Sequence, residues 1–149
     1  MMQAAAGGMA EVEMARLALE KASSDEVKRY AQQMIDDHTK ANEELMQVAS
    51  QKGVQLPTGP DVRHMALLGR LRNASGAAFD RMYIKEAGVK AHASMEKLFT
   101  KEFTGGRDAD ARGFASRTLP AVQMHLRMAR EISGGMTTGG TTAGTKAKM

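Results

Sequence analysis

The chain has 149 residues, a length suited to one domain with one core, and contains neither cysteine nor tryptophan, so disulfide frameworks, thiolate metal sites and cysteine nucleophiles are all excluded. Ala, Met, Leu, Glu, Lys and Arg dominate and aromatics make up only 4%, a composition that favours helix over sheet. The formal net charge is +4, but the basic residues are interleaved with acids and lack stacking aromatics, which argues against a nucleic-acid partner.

No apolar run reaches the ~18 residues that a membrane span needs, so no membrane insertion is expected. Met1 to Gly8 lacks a charged segment followed by a long apolar one. The expected setting is periplasmic or secreted if a signal peptide has been removed, and otherwise cytoplasmic.

Met9 to Ala22 repeats small and apolar residues at helical spacing, and Ser23-Ser24-Asp25-Glu26 supplies a cap and early acids for a second helix. That helix carries Ala31, Met34, His38, Ala41, Leu45 and Val48 in alternating steps of three and four until Gly53 and Pro57 stop it. Pro57-Thr58-Gly59-Pro60 forms a rigid connector, and Asp61 caps a short crossover helix with Met65, Leu68 and Leu71 on its apolar side. From about Ala77 to Phe103 the face reads Asp80, Ile84, Ala87, Ala91, Met95 and Leu98, closed by Gly105-Gly106. The last helix begins near Asp108 and aligns Ala111, Ala115, Thr118, Val122, His125, Ala129 and Ile132, with Pro120 expected to kink it.

Two short-looped hairpins joined by a longer crossover predict an all-α fold, a ferritin-like four-helix bundle with a short extra helix in the crossover. The bundle domain is expected over 1–132. Residues 133–149, rich in Gly and Thr without apolar period, are expected to be a disordered tail. Gly7-Gly8 reads as helix punctuation, like Gly105-Gly106.

Three of the four histidines, His38, His92 and His125, fall on or beside these inward stripes. A buried imidazole needs a partner for each nitrogen, and a metal with a hydrogen-bond acceptor behind it is one such arrangement. Taken singly, each histidine is more economically a core residue bonded to a neighbour; three on different helices point to a shared site. Glu11 lies on the small-residue face of the first helix, and Asp37 and Asp80 can join the histidines, orient them or cap helices. Pairing the last two helices about Gly105-Gly106 sets His92 level with Leu119, about 9 Å along the axis from His125, which would either split them between sites or leave only one of them to bind.

The Glu-x-x-His repeat of di-iron bundles is missing; Asp61-Val62-Arg63-His64, its nearest relative, sits in the crossover. The pattern therefore favours a mononuclear or non-redox site over an oxygen-activating pair. Imidazole with carboxylate suits a divalent metal ion, zinc first, with iron or copper as alternatives. The thirteen methionines read as flexible core filler before they read as thioether ligands. No phosphate loop or nucleophile elbow is present.

Several stretches resemble the ferritin-like family catalogued as domain of unknown function DUF4142. They are Gly8-Met9-Ala10-Glu11-Val12-Glu13, Met34-Ile35-Asp36-Asp37-His38-Thr39-Lys40-Ala41-Asn42, Gly76-Ala77-Ala78-Phe79-Asp80-Arg81-Met82-Tyr83, Ala91-His92, and Thr118-Leu119-Pro120 followed by His125. The resemblance spans Ala5 to Ile132. It implies a ferritin-like fold, a bacterial and often exported setting without an established activity, and motif positions at Glu11, Asp37, His38, Asp80, Tyr83, His92 and His125.

The resulting expectation is a metal-binding bundle for metal handling or stress protection, non-enzymatic or weakly catalytic, with Glu11, His38, His92 and His125 as ligands and Asp37, Asp80 and Tyr83 as alternates or supporting partners. The protein would be a monomer or homodimer. The alternatives are a di-metal oxidase or peroxidase using the same core, and a purely structural helical protein without metal.

Overall fold

A computed structural model describes residues 1–137, and no strand occurs among them. The elements are α1 (Met2–Lys21), α2 (Asp25–Gln51), α3 (Val62–Arg72), α4 (Gly76–Tyr83), a π-helical segment (Ile84–Lys90), α5 (Ala91–Gly105) and α6 (Ala109–Thr137). None of the described helices is long and apolar enough to cross a membrane.

Local chemistry sets the ends. Ser24 Oγ accepts from Val27 N–H at the start of α2, Asp61 Oδ1 from His64 N–H at the start of α3, and Asp108 Oδ2 from Ala111 N–H ahead of α6. Gly53 adopts φ +68° just past α2, where a side chain would be strained.

The helices pair as expected from the short loops: α1 packs along α2 and α5 along α6, while α2 also packs on α6 and α1 on α3 and α4. Asp80, near the start of α4, accepts hydrogen bonds from Ser23 N–H, Ser23 O–H and Ser24 N–H. That contact pins α4 to the α1–α2 corner, so the α4–α5 run is antiparallel to α1.

Two apolar clusters fill the interior. One gathers Met14, Val27, Tyr30, Met34, Leu71, Phe79, Tyr83 and Ala129 among others; the second holds Ala5, Leu45, Phe99, Phe114, Ala115 and Val122. Along α2, His38 falls between Met34 of the first and Leu45 of the second. His92 lies likewise between Ala87 and Phe99, and His125 between Val122 and Ala129. The histidines thus form a polar layer between two apolar ones.

Several expectations need correction. The first helix begins at Met2, and Gly7 and Gly8 are buried within it. A Cβ on Gly8 would run into the Asn42 side chain, so Gly8 serves close helix approach rather than punctuation. On α3 the buried residues are Leu67, Leu68 and Leu71, whereas Met65 is exposed. Ser133 to Thr137, assigned to the tail, continue α6, because Met136 stands one turn beyond Ile132 and packs on the same cluster. Residues 138–149 of that expected tail lie outside the described residues. Pro120, by contrast, lies inside α6 as expected, on its exposed side.

A candidate three-histidine metal centre

The π segment decides which residues the α4–α5 run turns inward. Stepping from Ile84 and Ala87 at α spacing leads to Ala91 and Leu98, which are only half-buried; the buried residues of α5 are His92 and Phe99. The wider π turn takes up one extra residue and rotates His92 into the core. Gly88 makes this possible, for a Cβ there would stand 2.8 Å from Ala129 Cβ on α6.

His92 is fully buried, and its Nδ1 lies 2.9 Å from Ala87 O and 3.0 Å from Gly88 O. Both partners are carbonyl oxygens, so Nδ1 carries the proton and donates, and Nε2 is left with its lone pair. His38 Nε2 is 3.2 Å from His92 Nε2 and therefore donates to it. His125 Nε2 donates to Asp37 Oδ2 at 2.7 Å, and Asp37 also accepts from Gln33 Nε2 at 2.8 Å. The opposite nitrogen, His125 Nδ1, is buried without a hydrogen-bond partner.

The rings of His38, His92 and His125 lie with centroids 5.2 to 5.4 Å apart. One ring nitrogen from each falls within 4.8 Å of one from each of the others, close enough for all three to ligate one ion. The expected separation of His92 from His125 is therefore wrong. The α5–α6 turn is centred near Arg107 rather than on the glycine pair, which removes about half the offset at ~1.5 Å per residue. The side chains on these antiparallel helices lean towards their own N-termini and close the rest.

Burial lowers the pKa of all three histidines. For His38, desolvation is joined by repulsion from His92 and His125; for His92, desolvation and repulsion from His125 outweigh its carbonyl bonds and bring it down to about 4; for His125, desolvation outweighs the pull of Asp37. The cluster is thus neutral near pH 7, the state in which imidazole binds a metal.

The other expected site residues take separate places. Asp37 orients His125. Asp80 caps the α1–α2 corner and joins no histidine hydrogen bond. Glu11 is only 1% exposed, with both carboxyl oxygens lacking a hydrogen-bond partner, and desolvation raises its pKa well above 4.5. It is not a member of the histidine cluster. Tyr83 is fully buried with an unpartnered hydroxyl, packed edge-on to Tyr30 at 6.2 Å and stacked on Phe79 at 5.9 Å. Burial, with Glu11 and Tyr30 as further causes, raises its pKa. Sequence reading missed Tyr30, whose hydroxyl donates to the carbonyl of His125 at 3.4 Å, and Gln33, whose position one turn before Asp37 was the available signal.

No curated protein and no solved structure matches the chain. The family model described as domain of unknown function DUF4142 matches residues 1–132, nearly the same span as the motif resemblance. The chain accordingly belongs to the DUF4142 family.

Proposed function

We propose that this protein is a ferritin-like four-helix bundle that binds one divalent metal ion through His38, His92 and His125, for metal handling or stress protection rather than for turnover. The observation that carries the reading is His125 Nδ1, buried and without a partner, on a member of a three-histidine cluster in which His92 Nδ1 and His125 Nε2 are already tied to oxygen acceptors. A purely structural triad would be expected to satisfy that nitrogen, because an unpaired buried polar atom costs about 1–3 kcal/mol. Three neutral imidazoles suit Zn²⁺, and also Cu²⁺. The histidine cluster contains no carboxylate to bridge two ions, which weighs against a di-metal oxidase.

Glu11, Asp37, Asp80 and Tyr83 complete the assignment in unequal roles. Asp37 holds His125 in its ligating tautomer, Asp80 secures the helix corner from which α4 starts, and Glu11 and Tyr83 are buried polar groups of the core outside the histidine cluster. Elemental analysis of protein purified without a metal-affinity tag tests the reading. Near-equimolar zinc or copper that is lost in His92→Ala supports it, and metal-free wild type that also fails to take up added metal refutes it.

A further inference from the structure

The three donors come from α2, α5 and α6, and the fourth long helix, α1, offers the centre no member of the cluster. What α1 does offer can be located from its neighbours. A Cβ on Gly8 would meet Asn42 on α2, and one on Gly7 would lie 3.7 Å from Met95 on α5. Both partner helices run antiparallel to α1, so one turn further along α1 the facing positions are about one turn earlier on each partner. By that register the level of His38 on α2 and His92 on α5 falls at Glu11 on α1, whose carboxyl group also interacts with Tyr30 and Tyr83. Its neighbours Gly7, Gly8, Ala10 and Ala15 carry little or no side chain, and its two carboxyl oxygens are buried without a partner.

We propose that the three-histidine centre keeps one coordination position open towards α1, and that a small ligand, water or a monovalent anion, sits there against the Glu11 carboxyl group. The inference rests on the metal-binding reading and deepens it. A divalent ion held by three neutral imidazoles keeps its full charge and one tetrahedral position, the arrangement that takes an exogenous ligand. A ligand of that size gives the Glu11 oxygens the hydrogen-bond partner that their burial requires.

The test loads metal-free protein with Co²⁺, whose visible bands report coordination, and titrates the loaded protein with sodium azide. The expected result is a saturable change of the bands on adding azide. In Glu11→Ala and Glu11→Gln, azide affinity should change by about threefold or more, while Co²⁺ affinity stays within about tenfold and helicity is retained. Bands that azide leaves untouched overturn the open position. A larger loss of Co²⁺ affinity in Glu11→Gln does so too, since Glu11 then ligates the ion itself. Unchanged azide affinity in both variants overturns the part given to Glu11. Failure of the wild type to bind Co²⁺ at all would instead refute the three-histidine reading.

Discussion

His125 Nε2 lies 2.7 Å from Asp37 Oδ2, a contact between α6 and α2 that leaves the other ring nitrogen of His125 buried and without a hydrogen-bond partner. Because the acceptor fixes which nitrogen carries the proton, Asp37 acts on the centre through His125. Asp37→Ala should weaken Zn²⁺ binding by about 10- to 100-fold with the fold intact, as read by competition with a chromophoric chelator alongside circular dichroism. Unchanged affinity would remove Asp37 from the centre.

The π segment makes a prediction about packing. Gly88→Ala places a methyl group 2.8 Å from Ala129 Cβ, so α6 must move, at a cost of about 1–3 kcal/mol in denaturant unfolding. Ala129→Gly clears the same space. The double variant should therefore lose less stability than the two single losses added together, and strict additivity would show that the two residues do not meet.

Asp80 separates a structural role from a ligating one. With three hydrogen bonds from Ser23 and Ser24 removed, Asp80→Ala should lose about 1–3 kcal/mol of stability and leave metal affinity unchanged. A parallel loss of metal binding in a variant that still folds would move Asp80 into the site.

Stability should depend on pH in two opposed ways. The histidines hold fewer protons folded than unfolded between 6.5 and, for His92, about 4, so their part of the stability is present above 6.5 and lost as pH falls through that window. Glu11 behaves in the reverse sense. Its raised pKa keeps a proton on the folded state above 4.5, so its part is present below 4.5 and lost as pH rises. Glu11→Gln should accordingly gain more stability over wild type at pH 8 than at pH 4 in urea titrations, and an equal difference at both values would mean that Glu11 is not desolvated.

Much of this was legible in the sequence where a rule is local. The step pattern of Met34, His38 and Leu45 gave the inward side of α2, and Ser24 and Asp61 marked helix starts because capping needs only a side chain three residues from a free N–H. The π turn was not legible. It adds a single residue to an otherwise helical pattern, and steps of three and four carried on to Ala91 without signalling that His92 had taken its place. Gly7 and Gly8 misled for a related reason: glycine marks both a helix end and a close approach, and only the position of Asn42 tells them apart. Asp80 depended on a contact with Ser23 and Ser24 across more than fifty residues of chain, which no local spacing encodes.

Whether His38, His92 and His125 hold one ion together is decided by calorimetric titration of metal-free protein with Zn²⁺ and Cu²⁺. A shared centre gives one site per chain in the wild type and a loss of at least about 100-fold in affinity in each of His38→Ala, His92→Ala and His125→Ala, since each removes one of three ligands. A wild type that binds no tighter than all three variants would contradict it.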